Sequence, residues 1–432
     1  MKPIKRYLEE GNITYFNSNE EVLINEYQEK DVELRGVWFS TVGNIDLPIM
    51  EDVESYKKYL KGVIQKVKEY NFNTVIFQVR PTNDALYESN LAPWSRFITG
   101  VEGKDPGFDV FGYFVEEAKK ENIKVHAWLN PYRVSNLKYS ELNMTKDEFL
   151  NSLSEKNFAK KHPELVIETV LDKLILDPAA VKVQDYVADV AYELASKYDI
   201  KAIHIDDYFY PYEAIRDPKE EEKFQKSGFS KLSDYRRHNV NLLIEKIHKK
   251  LQTLDRKVEF GISPFGIYRT NIKHFPQDKI TEAAWEKGSD NHYTCFSCYS
   301  GLYADVYYWM VKGWIDYVVP QNYFEMDYWK VATDGTKYEV VKYADLAKWW
   351  ANICKETNTK LYMGQGLYRY ANEGNFSNSE EIINQLKYNQ NYDNILGVVF
   401  FTYRDLVKEE PKSLIEAREK LKKLWTKQPL DI

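Results

Sequence analysis

The stretch AIHIDD, residues 202–207, decides the fold of this chain. Its apolar side chains alternate, and successive residues of a β-strand point to opposite sides, so Ile203 and Ile205 are expected to pack against helices. Asp206 then points to the other side at the end of the strand, and Asp207 begins the loop. The stretch predicts a half-polar strand that ends in two carboxylates.

Similar strands occur along the whole chain, and most are followed by a segment of helical period. The predicted strands are 34–40, 74–80, 124–130, 202–207, 259–264, 317–323, 361–366 and 397–403. The clearest predicted helices are 53–70, 110–121, 180–198, 232–254, 343–356, 380–390 and 413–425. Eight βα units predict an α/β fold, the (β/α)₈ TIM barrel. A doubly wound open sheet is the alternative, but no GxGxxG turn follows an early strand.

The 432 residues can form one large domain, because α/β barrels often exceed the usual domain size. We predict an N-terminal extension at 1–30, the barrel at 31–425 and a C-terminal tail at 426–432. Long loops follow five strands, on the C-terminal face where barrel active sites lie. These loops are 81–108, 131–179, 208–231, 265–302 and 324–341.

Composition excludes several classes of function. Acidic residues number 66 and basic residues 59, giving a net charge of -7, so no nucleic-acid partner is expected. No apolar stretch is long enough to span a membrane. Three cysteines cannot form a closed disulfide framework, and the CxxC pair Cys295 and Cys298 has no second pair or histidine pair to complete a zinc site. We expect no metal and no cofactor, and the oligomeric state stays open.

Strand alternation also predicts which side chains face the barrel mouth. The residues placed on the axis side are Gln78, Arg80, His126, Trp128, Asn130, Ala202, His204, Asp206, Gln321 and Tyr323. Arg80, Asn130 and Gln321 are expected to meet Asp206 at one rim. A buried polar cluster without partners would cost several kcal/mol, so this one is expected to face water or a ligand. An internal network between Arg80 and the aspartates is the alternative.

Further candidates lie on the loops and deeper in the barrel. Asp84, Tyr87 and Trp94 follow the second strand, and Tyr210 follows the fourth. Aromatic residues make up 15% of the chain, and their flat rings suit the faces of sugars, although a large barrel core also uses many of them. For Trp94 and Tyr210, sugar stacking and loop packing are equally open. Deep histidines such as His126 and His204 more often have structural roles.

Paired carboxyl groups suggest the hydrolysis of glycosidic bonds. This reaction needs one protonated carboxyl to donate to the leaving oxygen and one carboxylate to attack, activate water or stabilise charge. Adjacent aspartates shift each other's pKa apart. Asp206 is predicted to be essential and Asp207 to have an acid or orienting role. Glu325 is the best further carboxyl, with Asp327 and Asp84 behind it, unless the acetamido group of the substrate itself attacks.

Seven ordered motifs carry a resemblance to a known family. They are ELRGVW (33–38), QVRPTNDALY (78–87), VHAWLNPYR (125–133), HIDDYFYP (204–211), GISPFGIYR (261–269), GWIDYVVPQ (313–321) and YMGQGLY (362–368). With them the chain resembles the bacterial barrel proteins of glycosyl-hydrolase-like family 10, also called domain of unknown function 187. The motifs add Arg133, Tyr208, Arg269 and Tyr368 to the candidate substrate-binding residues.

The resemblance implies a glycosidase acting on a bacterial glycan. Members resemble exported or lipid-anchored enzymes that cleave peptidoglycan strands, so the expected substrate is peptidoglycan or another N-acetylated polysaccharide. A barrel that binds glycan without cleaving it is the alternative function. The resemblance implies an extracellular or cell-envelope location, whereas residues 1–10 lack the apolar region of a signal peptide, which leaves a cytoplasmic location open.

Overall fold

Eight parallel strands close into a barrel with a helix after each strand, which confirms the predicted (β/α)₈ fold. The structure is a computed structural model and describes residues 1–372 and 374–432. The strands are β1 (Leu34–Phe39), β2 (Thr74–Arg80), β3 (Lys124–Leu129), β4 (Ala202–Ile205), β5 (Glu259–Ile262), β6 (Tyr317–Val318), β7 (Lys360–Gly366) and β8 (Ile395–Phe401). The helices are α1 (Val53–Glu69), α2 (Val110–Lys120), α3 (Val181–Lys197), α4 (Leu232–Leu251), α5 (Val306–Val311), α6 (Tyr343–Thr357), α7 (Glu381–Asn389) and α8 (Lys412–Leu424).

Each strand pairs with its neighbours in sequence, and β8 closes the ring on β1. The predicted boundaries hold within two residues at most ends, but β6 is much shorter than predicted. It ends at Val318 rather than at 323, because the chain beyond it makes only isolated bridges, from Gln321 to Phe265 and to Gly364. Likewise, β4 ends at Ile205, so both aspartates lie beyond the last paired residue.

Side-chain packing follows the predicted alternation in β3 and β4. Ile203 and Ile205 belong to the layer between barrel and helices, while Trp128 and Ala202 belong to the cluster inside the barrel. Large and small residues share this interior. An added Cβ at Gly261 would lie only 1.9 Å from Cζ of Tyr317, so the glycine makes room for the tyrosine ring on the barrel axis.

The long connections carry short elements of their own. The short strands are Lys2–Pro3, Leu23–Ile24, Val166–Thr169, Leu174–Leu176, Ile215–Arg216, Thr270–Asn271, Ala284–Trp285, Trp329–Val331 and Lys337–Glu339. The short α-helices are Arg96–Thr99, Lys146–Ser152, Phe158–Lys161, Glu220–Ser227, Cys298–Gly301 and Arg404–Val407. Short 3₁₀ turns lie at Val42–Asn44, Tyr139–Leu142, Pro163–Leu165, Ile272–His274, Gln277–Lys279, Leu367–Ala371 and Asn375–Ser377. Within the described ranges no helix combines the length and the apolar character needed to cross a bilayer.

Both ends of the chain pack on the barrel. In the N-terminal segment Ile13 and Val22 are buried in the main apolar cluster, and the amide of Phe16 donates to Oδ2 of Asp345 at 3.0 Å. At the other end, Leu430 pairs with Val32 just before β1. The predicted limits of the extension and of the tail stay predictions.

Lys342 anchors the N-terminal segment to the barrel, and its removal is expected to destabilise the protein. Its fully buried ammonium donates to Oε1 of Glu339 and to the carbonyl of Thr14, both at 2.7 Å, with Asp327 Oδ1 at 3.6 Å. Lys342→Met leaves buried Glu339 without its cation, although Asp327 keeps Arg6 at 3.4 Å, and the change costs about 3 to 5 kcal/mol of folding free energy. Chemical denaturation measures the loss, and limited proteolysis near residue 14 should become faster.

The control is Lys355→Met, which changes an exposed lysine on α6, the helix that Lys342 precedes. Surface substitutions of this kind usually change the folding free energy by less than about 0.5 kcal/mol. Equal unfolding free energies for the two variants would contradict the anchoring role.

Candidate active site

A pocket of about 210 Å³ opens at the C-terminal ends of the barrel strands and contains both aspartates. Larger surface clefts lie elsewhere on the molecule, but this one is where the barrel places its strand ends. Its lining residues are Trp38, Ser40, Val42, Ile45, Gln78, Trp128, Arg133, Asp206, Asp207, Ser263, Gln321, Tyr323, Tyr368 and Phe401.

Asp206 is held by three hydrogen-bond donors. Its Oδ2 accepts from Nδ2 of Asn130 at 2.6 Å and from Nε1 of Trp128 at 3.2 Å, and its Oδ1 accepts from the backbone N–H of Tyr208 at 3.0 Å. Asn130 is itself oriented by Gln78, whose Nε2 donates to Oδ1 of Asn130 at 2.7 Å. Donors on both oxygens fix the plane and the orientation of this carboxyl group.

Asp207 occupies a different environment. Its Oδ2 accepts a hydrogen bond from the hydroxyl of Tyr212, and Gln321, whose Nε2 donates to the Ser263 carbonyl at 2.9 Å, lines the same pocket. Burial, followed by repulsion from Asp206, raises the pKa of Asp207 to about 6. Adjacent carboxyl groups in different surroundings can have different chemical roles, because one can hold a proton while the other stays charged.

A polar network lies beneath the pocket on the barrel axis. The Tyr317 hydroxyl lies 2.8 Å from Nδ1 of His126 and 3.0 Å from Nδ1 of His204, and Nε2 of His204 lies 2.9 Å from Oγ of Ser263. Burial lowers the pKa of His126 to about 3 and that of His204 well below its usual value, so both rings are neutral. Only Ser263 of this network reaches the pocket, so the histidines support its floor.

Aromatic rings form one wall of the pocket. The ring centroid of Tyr323 lies 5.6 Å from that of Tyr368 and 5.9 Å from that of Phe401. The ring centroid of Trp38 lies 6.0 Å from that of Phe401. These edge-to-face and tilted contacts fix the rings against each other. In a pocket that also contains the two aspartates, these rings offer the apolar surface that a sugar ring can stack on.

Several of the predicted site residues are brought together here. Trp128, Arg133, Gln321, Tyr323 and Tyr368 line the pocket with the two aspartates. Two others support it from behind, because Asn130 orients Asp206 and the ring of Tyr208 lies under the Arg133 guanidinium at 4.4 Å.

The expectation that Arg80 points into the mouth is wrong. A register irregularity between Gln78 and Arg80 breaks the alternation of β2, and the guanidinium lies 5.5 Å from the ring of Tyr186 on α3. It donates to the Asn130 carbonyl at 2.5 Å and to Asn83. Arg80 therefore holds the end of β3 from the helix side.

Five more predicted binding residues lie outside the pocket. Tyr87 is buried and donates to Glu193, and Trp94 lines a separate groove with it. Buried Asp84 accepts from the backbone of its own turn at Thr82. The remaining two pack against loop aromatics, Tyr210 on Tyr303 and Arg269 on Tyr299.

Glu325 also lies outside the pocket, although it was the best candidate for a partner carboxyl. Its Oε2 accepts from Nδ2 of Asn375 at 2.8 Å, and its Oε1 lies 3.4 Å from Nη2 of Arg369. The carboxylate is thus engaged in joining the loops after β6 and β7.

Sequence reasoning missed six residues of the pocket lining, namely Trp38, Ser40, Val42, Ile45, Ser263 and Phe401. Alternation placed Gln78 on the axis side, and it lines the pocket. Trp38 and Phe401 could have been found by extending the alternation test to β1 and β8, and Ser263 lies in one of the seven motifs. Val42 and Ile45 gave no local signal. They reach the pocket because Oε1 of buried Gln78 accepts from the amides of Thr41 and Val42, which fixes the first loop.

The closed ring of eight parallel strands places the chain in the class of (β/α)₈ barrels. Solved barrels share the fold: an α-L-fucosidase isoenzyme 2 from Paenibacillus thiaminolyticus has a TM-score of 0.52 and 11% identity, over 91% of this chain and 50% of that one. A β-glucosidase mutant derived from a hyperthermophilic tetrameric structure has a TM-score of 0.51 and 8% identity, over 92% and 96%.

The family follows from sequence. The family model described as Glycosyl hydrolase-like 10 matches residues 33–379, and the chain belongs to that family. It is 36% identical over 389 residues to glycosyl hydrolase YngK of Bacillus subtilis, covering 88% of this chain and 70% of that protein. It is 33% identical over 356 residues to glycosyl hydrolase DigH of Escherichia coli K12, covering 79% and 75%.

Proposed function

We propose that the protein hydrolyses O-glycosidic bonds in an N-acetylated bacterial glycan, with Asp207 as the proton donor and Asp206 as the charged partner. One observation carries the proposal: two adjacent carboxyls share the pocket, one held by three donors and one with a raised pKa. Glycoside hydrolysis needs this division between a protonated and an ionised carboxyl.

Asp207 suits the role of general acid. A carboxyl whose pKa is raised to about 6 keeps its proton in mildly acidic solution and can donate it to the leaving oxygen. After donation, the carboxylate can take a proton from the water that completes hydrolysis.

The arrangement of Asp206 favours attack by the substrate's own acetamido group. Among the described residues lining the pocket, Asp206 and Asp207 are the two carboxyls, and they are neighbours at the end of one strand. In this mechanism the acetamido oxygen attacks the anomeric carbon, the leaving oxygen takes the proton of Asp207, and water later reopens the ring. Asp206 would accept the acetamido N–H and balance the positive charge that develops.

Peptidoglycan strands are the substrate that we propose within this class. The support is the family resemblance together with the acetamido requirement, since the sugars of these strands carry that group. We also propose that the protein acts in the cell envelope, where this substrate lies; fractionation of producing cells with an antibody against the chain would test the location.

The assay is incubation with peptide-free peptidoglycan strands, followed by mass spectrometry of released sugars. A β-1,4-glucan without acetamido groups is the matched control substrate, and a chelator arm tests whether a metal is needed. We expect shorter N-acetylated products, none from the glucan and no effect of the chelator. If the strands stay intact but bind, the glycan-binding barrel is the better description; if glucan is cut equally well, the acetamido mechanism fails.

The rate is expected to depend on pH through Asp207. Its protonated form is the active one, so kcat/KM should be constant below its pKa of about 6 and fall as the pH rises, about tenfold per unit. A kcat/KM profile from pH 4.5 to 8.5, with unfolding monitored across the range, measures this limb. A rate that increases from pH 6 to 8 would assign the opposite protonation state to the carboxyl.

A further inference from the structure

Two exposed aromatic rings stack beside the pocket, outside its lining. Tyr212, on the loop after β4, and Phe296, on the loop after β5, have ring centroids 5.2 Å apart and planes 28° apart. The side chains are 48% and 37% exposed, although the rest of each ring is packed on protein. We call this pair the Tyr212–Phe296 platform.

The platform is fixed by its surroundings. An added Cβ at Gly301 would lie 2.2 Å from Cε2 of Phe296, so this ring rests directly on the glycine backbone of the helix Cys298–Gly301. Phe265 packs against Phe296 in a T-shaped arrangement, with ring centroids 5.2 Å apart. Two rings held in this way lose little conformational freedom when a ligand covers them, which suits a binding surface.

The platform is continuous with the pocket through one hydrogen bond. The hydroxyl of Tyr212 donates to Oδ2 of Asp207, so the same side chain touches the proposed acid and presents a ring to solvent. Tyr208 lies 6.3 Å from Tyr212, ring centroid to ring centroid, and stacks under Arg133 of the pocket. A polymer that leaves the pocket past Asp207 would lie over these rings.

We infer that the Tyr212–Phe296 platform binds a sugar on the leaving-group side of the scissile bond, beyond the sugar next to that bond, and that the Tyr212 hydroxyl is a positioning residue for Asp207. The inference rests on the proposed function, because it takes Asp207 as the proton donor. A pyranose is the occupant we commit to. Its C–H face packs on aromatic rings while its hydroxyls stay in water, which fits a flat, half-exposed surface beside a polar pocket.

The positioning role of Tyr212 predicts the direction in which its removal shifts the pKa of Asp207. A hydrogen bond from Tyr212 stabilises the ionised carboxylate of Asp207 and so lowers its pKa against the effect of burial. The other groups near Asp207 are Asp206 just after β4, Cys298 from the β5 loop, Tyr323 from the β6 loop, Tyr368 from the β7 loop and the neutral Gln321. Removing the Tyr212 hydroxyl therefore raises the pKa of Asp207.

Two variants separate the two parts of the proposal. Tyr212→Phe keeps the ring and removes the hydroxyl, so the limb of the kcat/KM profile where activity falls should shift to higher pH with little change in oligosaccharide affinity. Phe296→Ala keeps the hydroxyl and removes half of the platform. Its KM should rise roughly three- to tenfold for a hexasaccharide of N-acetylglucosamine, with the disaccharide unaffected and the limb unmoved.

Tyr308→Ala is the control, because it removes another part-exposed tyrosine, on α5, away from the strand ends. Its KM, and the pH at which its kcat/KM begins to fall, should match those of wild type. Thermal unfolding of all three variants shows whether they fold. An unmoved limb in Tyr212→Phe, or a loss in Phe296→Ala that is equal for hexasaccharide and disaccharide, overturns the inference.

Calorimetry measures hexasaccharide binding independently of cleavage, so it tests the platform separately from the proposed hydrolase activity. If wild type cleaves no N-acetylated glycan but Phe296→Ala still weakens hexasaccharide binding, the hydrolase proposal fails and the platform stands as a sugar-binding site. If wild type cleaves glycan and the platform variant binds and turns over like wild type, the hydrolase stands and the platform proposal is overturned.

Discussion

Asp207→Asn is expected to lower kcat on natural glycan strands about 10²- to 10³-fold, because the amide cannot give a proton to the leaving oxygen. The side chain keeps its shape and can still accept from the hydroxyl of Tyr212, so binding should change little. Steady-state kinetics on an N-acetylglucosamine oligosaccharide measure the effect, and KM should stay close to that of wild type.

An activated substrate tests whether the missing proton is the cause. An aryl glycoside with a good leaving group needs little protonation, so Asp207→Asn should cleave it at nearly the wild-type rate. The control Asp278→Asn changes an exposed loop aspartate and should leave both rates unchanged. Equal losses on the natural and the activated substrate would show that Asp207 is not the acid.

Asp206→Asn is expected to have the larger effect, a loss of about 10³- to 10⁴-fold in kcat. Donors from Asn130 and Trp128 reach Oδ2, and the amide of Tyr208 reaches Oδ1. An asparagine must turn its own NH₂ towards one of these donors, which misplaces the side chain as well as removing its charge. The positive charge that develops on the sugar then has no fixed counter-charge beside it.

The activated aryl glycoside should not restore the rate of Asp206→Asn, which distinguishes this residue from Asp207. Circular dichroism and thermal unfolding show whether the variant keeps its fold, because a buried donor without an acceptor costs about 1 to 3 kcal/mol. Retention of more than a tenth of wild-type activity in a folded variant would exclude an essential role for Asp206.

The barrel and the position of the aspartates could be predicted because the signals are local. Strand alternation depends on residues two apart, so it placed Ile203 and Ile205 outside and Asp206 at the axis without knowledge of the partners. The same argument placed Gln321 and Tyr323 correctly, although β6 ends well before them. An alternation test works wherever the chain stays extended, whether or not it is paired.

The same test failed where the ladder is irregular. One misregistered pair between β2 and β3 sends Arg80 to the helix side, and the sequence of β2 alone carries no sign of that shift. The predictions for loop residues were wrong for a related reason. Trp94 and Glu325 follow strands as Tyr368 does, but their loops are directed by distant partners such as Asn375.

The sequence by itself determined an eight-stranded barrel, the strand that ends in Asp206 and Asp207, and the family to which the chain belongs. The tertiary structure alone decided that Asp206 is held by Trp128 and Asn130, and that Asp207 is bound by Tyr212. It also decided which loops build the pocket. The physical reason is range: strand period and apolar pattern act between neighbours in the chain, whereas a loop's path and a carboxyl's proton affinity depend on groups brought from other strands.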